Sequence, residues 1–86
     1  MKAHANRKRM LMFCDGADGS FMKPWVTYDS VTDESVSGTI HQQPEAMLLG
    51  WGKLAEEGRL YILPFGMRVN ITKVTRDGRF TTEPRT

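Results

Sequence analysis

Two short segments of this chain are apolar on both faces of an extended strand. They read RMLMFC, residues 9–14, and RLYILPF, residues 59–65. Successive side chains of a strand point to opposite sides of the sheet, so each segment has two apolar surfaces to bury. Such a strand lies either inside a sheet that is covered on both faces or against a partner subunit.

Two further segments before the middle of the chain have the pattern of strands. In FMKPWVTYDSVT, residues 21–32, Pro24 cannot donate to a β-ladder. Residues 21–24 are therefore expected to form an edge or a bulge, with regular pairing from about Trp25. SVSGTIH, residues 35–41, alternates cleanly between apolar and polar positions, which predicts a half-buried antiparallel strand.

Two more strands are predicted near the end of the chain, MRVNITKV at residues 67–74 and RFTT at residues 79–82. We expect Met67, Val69 and Ile71 to share one face of the first of them. An Asp-Gly pair between two extended segments is a strong hairpin signal, and these two strands flank Arg76-Asp77-Gly78. The sequence therefore predicts a hairpin here.

A single segment has helical periodicity, QPEAMLLGWGKLAEEG at residues 43–58. Pro44 suits the first helical position, and Gly58 suits the left-handed residue that ends a helix. The apolar residues that recur at helical spacing are Met47, Leu48, Trp51, Leu54 and Ala55. Gly50 and Gly52 each weaken the helix by about 1 kcal/mol relative to alanine, so we expect packing against the sheet to hold it.

Together these elements predict an α+β fold, a mainly antiparallel β-sheet of five or six strands with one amphipathic helix (β-β-β-α-β-β-β). We assign residues 1–8 to a mobile basic arm and residues 9–86 to a single α+β domain, because 86 residues are too few for two cores. One helix cannot cover both faces of a sheet. We therefore predict a homo-oligomer, most simply a dimer, that buries the uncovered face.

Composition argues against several classes of protein. No run approaches the roughly 20 apolar residues that a membrane helix needs, so no membrane partner is expected. Residues 1–15 begin with the basic flank of a signal peptide, but their apolar part of about five residues is shorter than the ~7–15 required. The single cysteine cannot form an internal disulfide and agrees with a reducing compartment. We expect a cytoplasmic protein.

The segment CDGADGS, residues 14–20, holds two Asp-Gly pairs that could be taken for a ligand loop. A calcium loop needs ligands at alternate positions and a glutamate at position twelve, whereas counting from Asp15 places Ala17 third and Val26 twelfth. A phosphate-binding loop needs Gly-Lys-Ser/Thr at the start of a helix, and Gly19 leads instead toward a proline. The turn chemistry of Gly and Asp therefore predicts a hairpin turn.

Cys14 and His41 are the candidates for a catalytic pair. A nucleophilic cysteine needs a histidine beside it, and the other histidine, His4, lies in the predicted arm. Neighbouring aspartates oppose thiolate formation, so we expect Cys14 to pack as a small hydrophobic residue. One cysteine and two histidines, without CxxC or HxxxH spacing, predict no metal site, and no cofactor is expected.

Basic residues gather at the two ends of the chain and acidic residues in its middle, within a net charge of +2. Lysine and arginine contact phosphates, and Tyr61, Phe65 and Phe80 offer rings for base stacking. By strand alternation, however, Arg68 and Lys73 fall on opposite faces. The candidate nucleic-acid-binding residues are Arg7, Lys8, Arg9, Arg68, Lys73, Arg76 and Arg79.

We expect a small, non-enzymatic, homo-oligomeric binding or regulatory module that contacts a macromolecular partner. Three alternatives stay open. One is a nucleic-acid-binding protein that uses the basic N-terminal arm and the 76–79 turn, with affinity that falls with salt. Another is a small hydrolase or transferase with Cys14 and His41 in a site between subunits. The third is a protein inhibitor or assembly factor that binds a protein partner by a sheet edge.

Overall fold

Eight strands and one α-helix are found in the part of the chain that the computed structural model describes, residues 7–16, 21–32 and 35–83. The helix, α1 (Glu45–Glu56), follows the fifth strand, and a 3-10 turn (Pro64–Gly66) follows the sixth. The strands are β1 (Lys8–Arg9), β2 (Met12–Cys14), β3 (Phe21–Met22), β4 (Trp25–Val31), β5 (Val36–His41), β6 (Leu60–Ile62), β7 (Val69–Val74) and β8 (Arg79–Thr82).

The α+β class with one helix and an antiparallel sheet is confirmed, but the expected number of five or six strands is wrong. The expected order β-β-β-α-β-β-β is also wrong, because five strands precede the helix among the described residues. The additional strands arise where two predicted strands are interrupted. Residues 10–11 separate β1 from β2, and residues 23–24 separate β3 from β4, where Pro24 has no N–H to donate.

The sheet curls until its two ends meet. Arg9 lies opposite Trp25 and Met12 lies opposite Met22, so β1 and β2 follow β4 and β3 in one continuous antiparallel register. The N–H of Met10 continues that register by donating to the carbonyl of Pro24 at 3.0 Å. Along its other edge β2 pairs with β6. The strand order β1-β4-β5-β8-β7-β6-β2-β3 therefore begins and ends in the same hairpin.

Side chains on the inner side of this curled sheet form the core, together with one stripe of α1. The alternation predicted for β5 is confirmed, since Val36, Gly38 and Ile40 are buried. The buried apolar residues are Met10, Met12, Val26, Val36, Ile40, Leu48, Trp51, Ala55, Leu60, Ile62, Val69, Ile71, Val74 and Phe80. The curled sheet and α1 enclose its inner face, while its outer face stays exposed at Leu11, Phe21 and Trp25. Self-association stays a prediction.

The helix packs mainly against β7, as its apolar stripe requires. Its buried residues are Leu48, Trp51 and Ala55, whereas Met47 from the predicted stripe is exposed. Pro44 is the N-cap, so the helix begins at Glu45, one residue later than predicted. The prediction for Gly58 is confirmed: its φ is +73°, and its N–H donates to the carbonyl of Ala55 at 3.1 Å.

Both predicted hairpins are present. β2 pairs with β3, and the turn between them begins at Asp15 and Gly16, although residues 17–20 lie outside the described residues. β7 pairs with β8 across Arg76-Asp77-Gly78, where Gly78 has φ +97° and donates its N–H to Thr75 at 3.0 Å. The predicted face with Met67 is wrong in part, because Met67 precedes β7 and is exposed.

The first strand begins at Lys8, the last residue of the predicted arm. Residues 1–6 of the predicted arm lie outside the described residues, Arg7 is half-buried, and Lys8 pairs with Val26 in β1. In the described ranges no helix has both the length and the apolar character needed to cross a membrane.

Candidate functional site

The outer side of the first hairpin carries aromatic and basic side chains in alternation. Because Met10 and Met12 point into the core, the odd-numbered side chains of this strand point outward. The odd-numbered positions of the facing strand lie opposite them. With two residues from the neighbouring strands, they form what we call the aromatic–basic face. It consists of Arg9, Leu11, Phe13, Phe21, Lys23, Trp25, Tyr61 and Arg68.

Arg9 and Trp25 form one end of this face. The guanidinium carbon of Arg9 lies 4.5 Å from the centre of the Trp25 ring, within the range of a cation–π contact. Its Nη1 donates a hydrogen bond to the carbonyl of Lys23, which fixes the guanidinium between the two strands. Trp25 is 38% exposed and Phe21 is 57% exposed, so both rings are open to a ligand.

Tyr61 lies at the other end of the face and is enclosed on both sides of its ring. Phe13 stacks on it with ring centres 5.3 Å apart and planes inclined by 19°. The guanidinium carbon of Arg68 lies 3.9 Å from the centre of the Tyr61 ring. The rings available for stacking are therefore those of Trp25 and Phe21.

Asp15 holds Arg68 in that position. Arg68 Nη1 and Nη2 donate to the two carboxylate oxygens of Asp15 at 3.1 and 2.7 Å, and Arg68 Nε donates to Asn70 at 2.8 Å. The hydrogen bond from Arg68 lowers the pKa of the Asp15 carboxyl below its ordinary value of 3.8. The backbone of Asp15 is also fixed, since its N–H donates to the carbonyl of Arg59 at 2.8 Å.

The basic residues of the described chain divide into neutralised and unneutralised sets. Arg59, Arg68, Arg76 and Arg79 pair with Glu57, Asp15, Glu45 and Asp29, at 3.1, 2.7, 3.3 and 3.8 Å. The other six described cations have no described carboxylate within ion-pair distance. Two of them, Lys53 and Lys73, lie on α1 and β7, and the other four lie at the corner of the hairpin that carries Trp25. We call these four residues the basic corner: Arg7, Lys8, Arg9 and Lys23. The Nε of Arg7 is shielded from solvent without a hydrogen-bond partner in the described structure.

The structure brings together only part of the predicted nucleic-acid set. Arg7, Lys8 and Arg9 lie side by side at the start of the sheet. Arg68 lies beyond Tyr61, at the other end of the aromatic–basic face. Arg76 and Arg79 flank the β7–β8 turn, where each is paired with an acid. The predicted site is thus divided between two regions of the surface.

The predicted separation of Arg68 and Lys73 on opposite faces is wrong. β7 has an irregularity between Ile71 and Lys73, so Thr72 and Lys73 are both exposed before Val74 turns inward. One of the predicted stacking rings, Phe80, is buried in the core and cannot take this role. The side chain of Phe65 lies outside the described residues.

Cys14 and His41 lie on different strands and contact different partners. Cys14 lies on β2 opposite Leu60, is half-buried against the core, and directs its thiol at the carbonyl of Asp15 at 3.5 Å. His41 lies on β5 with Nε2 2.6 Å from Thr27 Oγ1. His4 lies outside the described residues. The described ranges contain no cluster of His, Cys, Asp and Glu that could hold a metal ion.

Two of the cavities in the described surface adjoin candidate site residues. One, of about 480 Å³, is a cleft between α1 and β7 that includes Leu49, Lys73 and Arg76. The other, of about 200 Å³, lies at the aromatic–basic face and is mainly apolar, with Arg9 at its rim. Only the second adjoins the basic corner.

Sequence reasoning did not single out Trp25, Phe21 or Lys23, although a signal for them exists. These residues occupy alternate positions of FMKPW, so an extended chain places aromatic, basic and aromatic side chains on one face, about 7 Å apart. Because Pro24 predicted a break in pairing at residues 21–24, the sequence interpretation did not treat them as one alternating face. Comparison of the chain with protein-family models, with curated proteins and with solved structures found no match.

Proposed function

We propose that this chain is a non-enzymatic binding module that binds single-stranded nucleic acid through the aromatic–basic face and the basic corner. The observation that carries the proposal is the position of Arg9 over the exposed ring of Trp25, at a corner of the sheet where Arg7, Lys8 and Lys23 also have no described acidic partner. Cations that track phosphates beside rings that stack on bases are the two parts of a single-strand binding surface.

The charge of this surface favours an anionic partner over a second copy of the chain. A two-fold dimer places the same patch on both subunits, so a dimer through this face would bring two basic corners together. Like charges facing each other are unfavourable, whereas phosphates release counterions and neutralise the cations. The apolar residues of the face therefore support a ligand that is both anionic and aromatic.

The geometry favours a single strand over a duplex. The rings of Trp25 and Phe21 are exposed, and stacking on them requires unpaired bases. Reading a duplex groove commonly uses a helix with several basic residues, and α1 carries Lys53 as its single lysine or arginine. The proposed ligand is accordingly an unpaired segment of DNA or RNA, bound without a requirement for one sequence.

The test is fluorescence anisotropy with a labelled oligothymidylate of about 15 nucleotides, at several salt concentrations. Four phosphate contacts predict a slope of about −3 for log affinity against log salt. Base stacking adds a second readout, since Trp51 is buried and quenching by the oligonucleotide would report on Trp25. A polyanion without bases serves as the comparison and should bind without quenching.

A matched pair of triple variants separates this site from general charge. Lys8→Gln, Arg9→Gln and Lys23→Gln together should weaken binding by about tenfold or more at low salt. The control, Lys53→Gln with Arg76→Gln and Arg79→Gln, removes the same three charges elsewhere and should change affinity less than about twofold. Absence of binding by the unmodified protein, or equal loss in both triple variants, would overturn the proposal.

Self-association is a second proposal, and it concerns a different surface. Leu49 is exposed on the side of α1 that borders the cleft with β7, with 52% of its surface accessible. A dimer through this side leaves the aromatic–basic face free for its ligand. Light scattering should give the mass of a dimer for the unmodified chain and that of a monomer for Leu49→Glu. A monomeric mass for the unmodified chain would exclude it.

A further inference from the structure

The smaller cavity exists because the β2–β6 ladder stops early. Met12 lies opposite Ile62, and the same register would place Leu63 opposite Leu11 and then Pro64, which has no N–H, opposite Met10. The chain enters the 3-10 turn there, so the stretch before Met12 has no strand along this side. The resulting opening is lined by Arg9, Met10, Leu11, Phe13, Tyr28, Ile62, Leu63 and Pro64.

Size and lining restrict what can enter this opening. Its volume is about 200 Å³, and a cavity of about 150 Å³ lined by apolar side chains holds benzene. One six-membered ring with small substituents therefore fits, whereas pockets for larger ligands begin at about 300 Å³. The lining residues are apolar apart from Arg9 and Tyr28.

Tyr28 supplies a polar group suited to orient such a ring. Its ring meets that of Phe80 edge to face, with centres 6.5 Å apart, which fixes its direction from the core. The described residues supply no hydrogen-bond partner for the Tyr28 hydroxyl. Burial raises the pKa of Tyr28, so the hydroxyl keeps its proton at neutral pH and can donate to a carbonyl oxygen.

The cavity also adjoins the surface proposed for phosphate. Arg9 lines the opening, and its guanidinium lies over Trp25, so one side chain joins the cavity to the exposed ring. We infer that the cavity takes one pyrimidine base of the bound strand while Arg9 contacts an adjoining phosphate, an inference that rests on the nucleic-acid function proposed above. The pyrimidine carbonyls accept from Tyr28, and the single ring fills the apolar walls.

The inference predicts that the protein binds pyrimidine oligonucleotides more tightly and that this cavity causes the preference. Oligothymidylate should bind about fivefold more tightly than oligoadenylate of equal length, since one well-placed base contributes on this scale. Tyr28→Phe should reduce the preference, and Leu63→Trp, which narrows the opening, should abolish it. Leu49→Trp adds the same side chain outside the cavity and should leave the preference unchanged.

A direct readout uses the methyl group of Met10, which is buried and lines the cavity. With carbon-13-labelled methionine methyl groups, oligothymidylate should shift the Met10 resonance, and an abasic deoxyribose-phosphate oligomer should not. The Met22 methyl, from the same hairpin but outside the cavity lining, is the reference.

Failure of this inference differs from failure of the proposed function. If oligothymidylate and oligoadenylate bind equally with the expected salt slope, and Met10 does not shift, nucleic-acid binding stands and the base pocket is rejected. If neither oligonucleotide binds, the proposed function is rejected together with the pocket.

Discussion

Asp15 and Arg68, 53 residues apart in the chain, form a two-point ion pair that fixes the guanidinium of Arg68 against the Tyr61 ring. Planar, two-point pairing of this kind is also how arginine binds a phosphate group. The carboxylate of Asp15 therefore occupies the position at which Arg68 could receive an anionic ligand. This pair closes one end of the aromatic–basic face, while the basic corner at the other end is open.

Removing the charge of Asp15 should strengthen nucleic-acid binding. Asp15→Asn releases the Arg68 guanidinium for one further phosphate contact, which predicts about threefold higher affinity and a salt slope steeper by almost one. Anisotropy titrations measure both quantities. Asp29→Asn removes the same charge beside Arg79, away from this face, and is the control. Equal gains in the two variants would show a general charge effect and contradict this role for Asp15.

The same pair predicts an acid titration. Because the folded-state pKa of Asp15 is lowered, the pair is present above the ordinary value of 3.8 and is lost as the pH falls through the lower, folded-state pKa. Both groups are exposed, so the pair adds little to the free energy of unfolding. Carboxyl-carbon NMR should show the lowered pKa, and Arg68→Met should return it toward 3.8.

In the control variant Arg76→Met, which removes a cation paired with Glu45, the pKa of Asp15 should be unchanged. A pKa of Asp15 that does not respond to Arg68→Met would mean that the pair is absent in solution.

Two glycines of α1 should respond to alanine in opposite directions. A Cβ at Gly50 has no heavy atom within 4 Å, so Gly50→Ala should raise the free energy of unfolding by about 0.5–1 kcal/mol through helix propensity. A Cβ at Gly52 would lie 2.7 Å from the carbonyl oxygen of Val74. Overpacking outweighs propensity there, and Gly52→Ala should lower the free energy by about 1 kcal/mol.

Urea unfolding followed by circular dichroism measures both changes, and each variant is the control for the other. Stabilisation by Gly52→Ala would show that α1 does not approach β7 as closely as described.

A buried hydroxyl joins the neighbouring strands β5 and β8. Thr82 Oγ1 accepts a hydrogen bond from the N–H of Val36 at 2.8 Å, and Thr82 is buried. Thr82→Val keeps the shape but leaves that N–H without a partner, so it should lower the free energy of unfolding by about 1–3 kcal/mol. Thr72→Val, on the exposed side of the neighbouring strand, should change it by less than about 0.5 kcal/mol. Similar losses in both would contradict the buried bond.

Local features of this protein follow from the order of its residues. The alternation along Val36, Gly38 and Ile40, the end of α1 at Gly58 and the hairpin at Asp77-Gly78 all depend on side-chain period or on backbone conformations that glycine adopts readily. These preferences act within a few residues, so inspection of the sequence was sufficient to predict them.

The curvature of the sheet could not be predicted in the same way. It depends on the pairing of β2 with β6, which joins Cys14 to Leu60 across more than half of the chain. Either face of a doubly apolar strand can be the inner one until this pairing is made. The sequence predicted a sheet of which the helix covers one face, whereas the long-range ladder curls the sheet around that inner face.

The candidate site also has features that the local sequence determines and features that the tertiary structure determines. Residues 7–9 and the alternation of Phe21, Lys23 and Trp25 are determined by the amino-acid order, because neighbours on a strand share faces at a fixed spacing. Tertiary structure decided which cations stay unneutralised, since Asp15 reaches Arg68 and Glu45 reaches Arg76 only after distant segments meet. The energy of an ion pair depends on the distance between its charges, and folding sets that distance.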